Sequence, residues 1–84
     1  MASVEVKLYG TLRKYRPKSA GGAPHHPFVV TLGQDPATVD DLIRSLEIPS
    51  GLTAVVSINK NTATLETVLE SNAQVSLFPP TAGG

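Results

Sequence analysis

Residues 33–51 read GQDPATVDDLIRSLEIPSG. Val39, Leu42, Ile43 and Leu46 fall at i, i+3, i+4 and i+7, the spacing that gathers four apolar side chains on one face of an α-helix. Thr38 stands where an N-cap belongs, Asp41 holds the capping-box position three residues on, and Asp40 beside it favours the positive end of the helix dipole. Pro49 and Gly51 are expected to end the helix. This is the one convincing helix in the chain. A single helix covers only one face of a sheet, so the flanking sequence decides which sheet it covers and what the other face meets.

Upstream, Val4, Val6 and Leu8 alternate with Glu5, Lys7 and Tyr9, the period of two of a strand with one buried face. PFVVTL (27–32) resumes the alternation, with Phe28, Val30 and Leu32 inward and Val29 and Thr31 outward. Between them GTLRKYRPKSAGGAPHHP (10–27) is dense in Gly, Pro and basic residues; after one turn around Leu12 it reads as a long surface loop closing a hairpin. Downstream, LTAVVSI (52–58) predicts a third strand, with Ala54, Val56 and Ile58 on one face and Val55 and Ser57 on the other. NKNT (59–62) turns the chain. Leu65 and Leu69, four apart, fit a short helical turn or a brief edge strand, and AQVSLF (73–78) closes the fold with Val75 and Leu77 inward and Phe78 outward. Hairpin, helix, then two or more strands is the layout of an α+β, β-grasp domain: a mixed sheet of four to five strands with one main helix packed on one face. The expected division is a domain over 1–78 and a flexible tail over 79–84.

The 84 residues suffice for one modest core. With 40% apolar and 17% charged residues the chain reads as globular. Seven basic side chains balance seven acidic ones, which argues against nucleic acid as a partner, because such binding rests on neutralising several phosphates. The balance is uneven along the chain: Lys7, Arg13, Lys14, Arg16 and Lys18 come early, and Asp35, Asp40, Asp41 and Glu47 crowd the middle. Solvated faces account for most such runs, and a docking surface of opposite sign is the alternative. Cysteine is absent, which removes disulfides, thiolate metal sites and any thiol nucleophile. No segment approaches the length of a membrane span, so no membrane partner is expected and a cytoplasmic location is the default expectation.

Catalytic constellations fail in turn. His25 and His26 are adjacent in the Gly/Pro loop with no carboxylate near them in sequence, which suits solvated histidines better than a metal site needing three or four ligands. Gly21-Gly22 lacks the Lys-Ser/Thr of a phosphate loop. No catalytic residue, metal ligand or bound cofactor is therefore expected. Attention passes to SLFPPTAGG (76–84), where Pro79 and Pro80 stiffen the exit from the last strand while Gly83 and Gly84 have no Cβ to block a narrow channel. Extended, residues 79–84 reach about 20 Å. The reactive group at the tip is the Gly84 carboxylate, which needs activation before acyl transfer. A bare Gly-Gly also suits a frayed end. Tyr9, Val55 and Phe78, all outward by the alternation, would form an apolar docking patch at the root of the tail if the first, third and last strands lie side by side.

On these residues the chain resembles the ThiS/MoaD sulfur carriers, which are ubiquitin-like β-grasp proteins. VEVKLYGTLRKY resembles the family's opening strand and Leu-Arg turn, ATVDDLIRSL its Thr-capped helix, VVSIN its third strand, and VSLFPPTAGG its ending. Phe-Pro-Pro with a terminal Gly-Gly is most similar to the molybdopterin synthase small subunit. The resemblance implies that an E1-like enzyme adenylates the Gly84 carboxylate with ATP and that the functional form is a thiocarboxylate at Gly84. It further implies that a synthase large subunit receives the tail in molybdopterin synthesis, that Gly83 and Gly84 form the carrier site, and that Phe78 and Tyr9 lie at an aromatic interface. Three readings stay open. One is a sulfur carrier for molybdopterin, or for thiamin, cysteine or tRNA thiolation. Another is a ubiquitin-like modifier conjugated through Gly84, and the third is a plain β-grasp interaction module.

Overall fold

In a computed structural model the described residues are 2–23, 26–33, 36–49 and 51–80. Strand β1 (Ala2–Leu8) pairs antiparallel with β2 (Phe28–Leu32), and residues 37–38 form a short strand, β3 (Ala37–Thr38), that leads directly into helix α1 (Val39–Ser45). Strands β4 (Val55–Ile58) and β5 (Asn61–Ala63) form a second hairpin, β6 (Val68–Leu69) pairs with β3, and β7 (Gln74–Phe78) returns to the middle of the sheet. The main sheet has five strands in the order β2-β1-β7-β4-β5, with β7 parallel to β1 and antiparallel to β4. This is the expected β-grasp: a mixed five-stranded sheet with one main helix.

Apart from Ala54, the period of two places the inward set as read from the sequence. Val4, Val6, Leu8, Phe28, Leu32, Val56, Val75 and Leu77 are buried, and they join Val39, Leu42, Ile43 and Leu46 of the helix face in one core. Each fully buried Val or Leu contributes roughly 1.5–3 kcal/mol relative to exposure. Among the described residues no polar or charged residue is buried.

The start of α1 shows why Thr38 and Asp41 are spaced as they are. The Thr38 hydroxyl accepts from the Asp41 N–H, and the Asp41 carboxylate accepts from the Thr38 N–H at 2.9 Å, completing the capping box. The N–H groups of Val39 and Asp40 donate to the carbonyls of Thr67 and Leu65, so the turn before β6 satisfies what the cap leaves over. The other end departs from expectation. The helix stops at Ser45, ahead of Pro49 and Gly51, because Glu47 turns to φ +58° and the Ile48 and Glu47 N–H groups bond back to the carbonyls of Ile43 and Arg44. That pairing is a Schellman ending, with Glu where glycine is usual and with Ile43 and Ile48 both buried.

Two further expectations are corrected. The 10–27 segment is largely structured: residues Gly10–Tyr15 and Lys18–Ala20 form 3₁₀ turns, the first anchored by buried Leu12. The Arg16 side chain ties this segment together, donating to the carbonyls of Gly21 and His26 while its guanidinium stacks over Phe28 at 5.0 Å. Ala54 is exposed rather than inward, because it precedes the strand and the alternation stops with the ladder. Of the two readings of Leu65 and Leu69, the structure gives the brief strand, β6: Leu69 lies in it and is buried, while Leu65 is exposed in a turn closed by Thr64 and Thr67. No helix among the described residues is long and apolar enough to cross a membrane.

Candidate functional site

The face of the sheet away from α1 carries the outward residues, and the strand order decides which of them meet. In β1 and β7 the partners Lys7 and Ser76 lie side by side, and Ser57 of β4 pairs with Ser76 from the other side. One step along, Val55 pairs with Phe78. Tyr9 follows the end of β1, and its ring stacks on Phe78 with centroids 4.3 Å apart and planes inclined by 16°. Tyr9, Phe78 and Val55 therefore make a contiguous apolar platform across three strands, because β7 separates β1 from β4. Val55, the first residue of β4, is 46% exposed.

Behind the platform the sheet face dips into a depression of about 550 Å³, lined by Lys7, Ser57, Lys60 and Ser76 with Tyr9 and Phe78 at its rim. Serine hydroxyls, the Glu5 carboxylate, the Gln74 side chain and the Lys7 and Lys60 ammonium groups share its lining. The Lys7 ammonium lies 5.3 Å from the Tyr9 ring centroid, where the negative face of the ring attracts it. Lys60 is held at the tip of the β4–β5 hairpin, where Asn59 and Lys60 both adopt positive φ, at +51° and +73°. Those are the values of the two-residue turn that matches strand twist. Asn59 fixes that turn to β7: its N–H donates to the Gln74 carbonyl and its side-chain oxygen accepts from the Gln74 N–H.

The root of the tail is held on both sides. The Tyr9 N–H donates to the Leu77 carbonyl at 3.1 Å and the Ala54 N–H to the Phe78 carbonyl at 2.8 Å, so the backbone is fixed through the last residue of β7. Pro79 is half-buried and Pro80 is exposed. Gly83 and Gly84 lie outside the described residues. Among the described residues no group of three or more His, Asp or Glu is placed to hold a metal ion, and His26 sits exposed in its loop.

The sequence-predicted residues Tyr9, Val55 and Phe78 are thus brought together, and Pro79 and Pro80 leave from their midst. Two residues that the sequence reading did not single out join them. Gly10, with φ +57°, lies under the Pro79 ring, and Lys60 flanks the depression. A glycine following an outward aromatic at a strand end was the available signal for Gly10, and the turn-forming pair Asn59-Lys60 was the signal for Lys60.

Comparison with known proteins gives a consistent picture. Residues 28–84, more than half of the chain, match the model of the ThiS family. No curated protein matches the chain. Among solved structures it is similar to small archaeal modifier protein 1 of Haloferax volcanii, at 22% identity and a TM-score of 0.68, covering 96% of this chain and 100% of that one. Small archaeal modifier protein 1 of Methanosarcina acetivorans is 26% identical, with a TM-score of 0.58 and coverage of 100% and 98%. The complex of subunits 1 and 2 of the molybdopterin-converting factor of Helicobacter pylori contains a chain 22% identical, with a TM-score of 0.56 and coverage of 98% and 99%.

Proposed function

This chain belongs to the ThiS family of ubiquitin-like, β-grasp sulfur carriers, and we propose that it carries sulfur as a thiocarboxylate on Gly84, charged by an E1-like enzyme that docks on the Tyr9–Phe78–Val55 platform. The observation that carries this reading is the stacked pair Tyr9 and Phe78 beside exposed Val55, set where the chain enters Pro79-Pro80. An exposed apolar platform fixed to the rigid end of a central strand gives a partner a grip next to the segment that it must receive.

The chemistry follows from what a carboxylate lacks. A Gly84 carboxylate oxygen attacks the α-phosphorus of ATP, pyrophosphate leaves, and the resulting acyl-adenylate has AMP as its leaving group. Hydrosulfide, or a sulfide equivalent from a donor protein, then displaces AMP and leaves the thiocarboxylate. The activating enzyme supplies the ATP site, while this chain supplies the docking face and the carboxylate; with no cysteine of its own, it draws the sulfur from elsewhere. The finer assignment, to molybdopterin synthesis with a synthase large subunit as acceptor, draws on the Phe78-Pro79-Pro80 sequence and the closing Gly-Gly. The Helicobacter pylori neighbour contributes the fold to that argument and nothing more.

A second reading, attachment to target lysines, is favoured by one observation, the 26% identity to the small archaeal modifier protein 1 of Methanosarcina acetivorans. Intact mass after incubation with ATP, the E1-like enzyme and sulfide separates the two. A species heavier by one sulfur in place of one oxygen, absent after Gly84 removal, supports the carrier. Lysine-linked conjugates that persist in denaturant support the modifier, and an unchanged mass counts against both.

A further inference from the structure

We infer that Gly10 is a positioning residue for the tail: by admitting the Pro79 ring where any side chain would collide, it sets the direction in which the chain leaves the domain. The inference rests on the proposed carrier function for its consequence, and on geometry alone for its structural content.

The backbone is pinned up to Phe78 by the bonds from Tyr9 to Leu77 and from Ala54 to Phe78. At the next two residues, Pro79 and Pro80, no ladder partner directs it. Proline fixes φ at residues 79 and 80, so three torsions remain to choose the exit direction, ψ of Phe78, of Pro79 and of Pro80. The contact with Gly10 bears on the first. A Cβ built on Gly10 would stand 2.9 Å from Pro79 Cγ and 3.5 Å from Cδ, with no flexible chain end to give way, because both atoms belong to a five-membered ring. Gly10 also holds φ +57°, which side-chain-bearing residues seldom adopt. The glycine therefore meets two demands at one position: it turns the chain from β1 into the 3₁₀ segment, and it leaves a flat surface for the proline ring to rest on. The stacked rings of Tyr9 and Phe78 precede this pair in the sequence on each side, so two successive contacts, ring on ring and then ring on backbone, extend the alignment of β1 with β7 beyond the sheet.

A carrier benefits from such a seat. The docking platform fixes the domain on its partner, and the segment after Pro80 has to be aimed from there into an active site. A tail free to swing about Phe78 would reach that site less often at equal docking affinity, so the effect belongs in kcat rather than in KM.

The test has two arms on the full chain. In the first, Ala82→Cys, the only thiol in the protein, carries a nitroxide, and amide broadening maps where the tail goes. Broadening concentrated on one side of the domain in the parent and redistributed in Gly10→Ala is the expected result; the same map in both overturns the inference whatever the protein's function. In the second, ATP–pyrophosphate exchange by the E1-like enzyme is followed. Gly10→Ala should lower kcat by about tenfold with KM for the carrier changed less than twofold. Pro79→Ala should lower kcat as well, and adding Gly10→Ala to it should cost well under the loss that Gly10→Ala causes alone, because the collision partner is gone and only the strain of alanine at φ +57° is added. Additive losses would show that Gly10 acts through general destabilisation and would overturn the inference. Absence of exchange with the parent protein, alongside a redistributed broadening map, would overturn the carrier reading and leave the positioning role standing.

Discussion

Tyr9 and Phe78 stack 4.3 Å apart although sixty-eight residues of chain separate them, and the parallel pairing of β1 with β7 is what places them. Their contact serves both the fold and the exposed platform. Replacing each by alanine, singly and together, should reveal a coupling of about 0.5–1.5 kcal/mol in urea unfolding. Phe78→Ala should also weaken binding to the E1-like enzyme by about tenfold or more, as expected of a central aromatic anchor. If titration calorimetry found affinity unchanged, the platform would not be the docking face.

Glu47 and Lys60 occupy left-handed backbone positions where glycine is the residue of least strain, one closing α1 and the other closing the β4–β5 hairpin. Glu47→Gly and Lys60→Gly should each raise stability by about 0.5–1 kcal/mol. In a domain of this size that is a rise of several degrees in Tm. Glu47→Gly should leave partner binding untouched, whereas Lys60→Gly removes a cation from the rim of the sheet-face depression. A fall in Tm for either would mean that its side chain contributes more than its backbone costs.

Arg16 holds the 17–27 segment by donating to the carbonyls of Gly21 and His26 and by lying over Phe28. Arg16→Ala should speed hydrogen exchange at the Ala20 and His26 amides, which bond within that segment, while global stability changes by about 1 kcal/mol or less. Arg16→Lys should not restore protection, because an ammonium lacks the planar fork that reaches two carbonyls and stacks on a ring. Protection restored by lysine would reduce the role of Arg16 to its charge.

Removing Gly84 should abolish thiocarboxylate formation and leave the urea midpoint unchanged, because the core of the described residues is built from Val4 to Leu77. Intact mass and unfolding measured on the same preparation check both halves. A marked loss of stability would show that the tail packs on the domain.

The local choices in this chain were legible in sequence because they are local. Alternation marked the inward set of β1, β2 and β7, the i, i+3, i+4, i+7 spacing marked the helix face, and Thr38 with Asp41 marked the cap, each from side-chain chemistry within a few residues. The end of the helix was less legible, since Pro49 and Gly51 advertise a stop that the backbone of Glu47 makes earlier. The 10–27 segment reads as open because Gly and Pro dominate it, whereas its order comes from buried Leu12 and from an Arg16 side chain reaching five and ten residues ahead.

What sequence alone determined, then, is a β-grasp order of elements and a set of outward residues, because both follow from periodicity along the chain. Which outward residues meet was decided only by tertiary structure. The insertion of β7 between β1 and β4 brings Tyr9, Phe78 and Val55 onto one platform and lays Pro79 over Gly10, and such pairings between distant segments follow from sheet order and register, which no local pattern encodes.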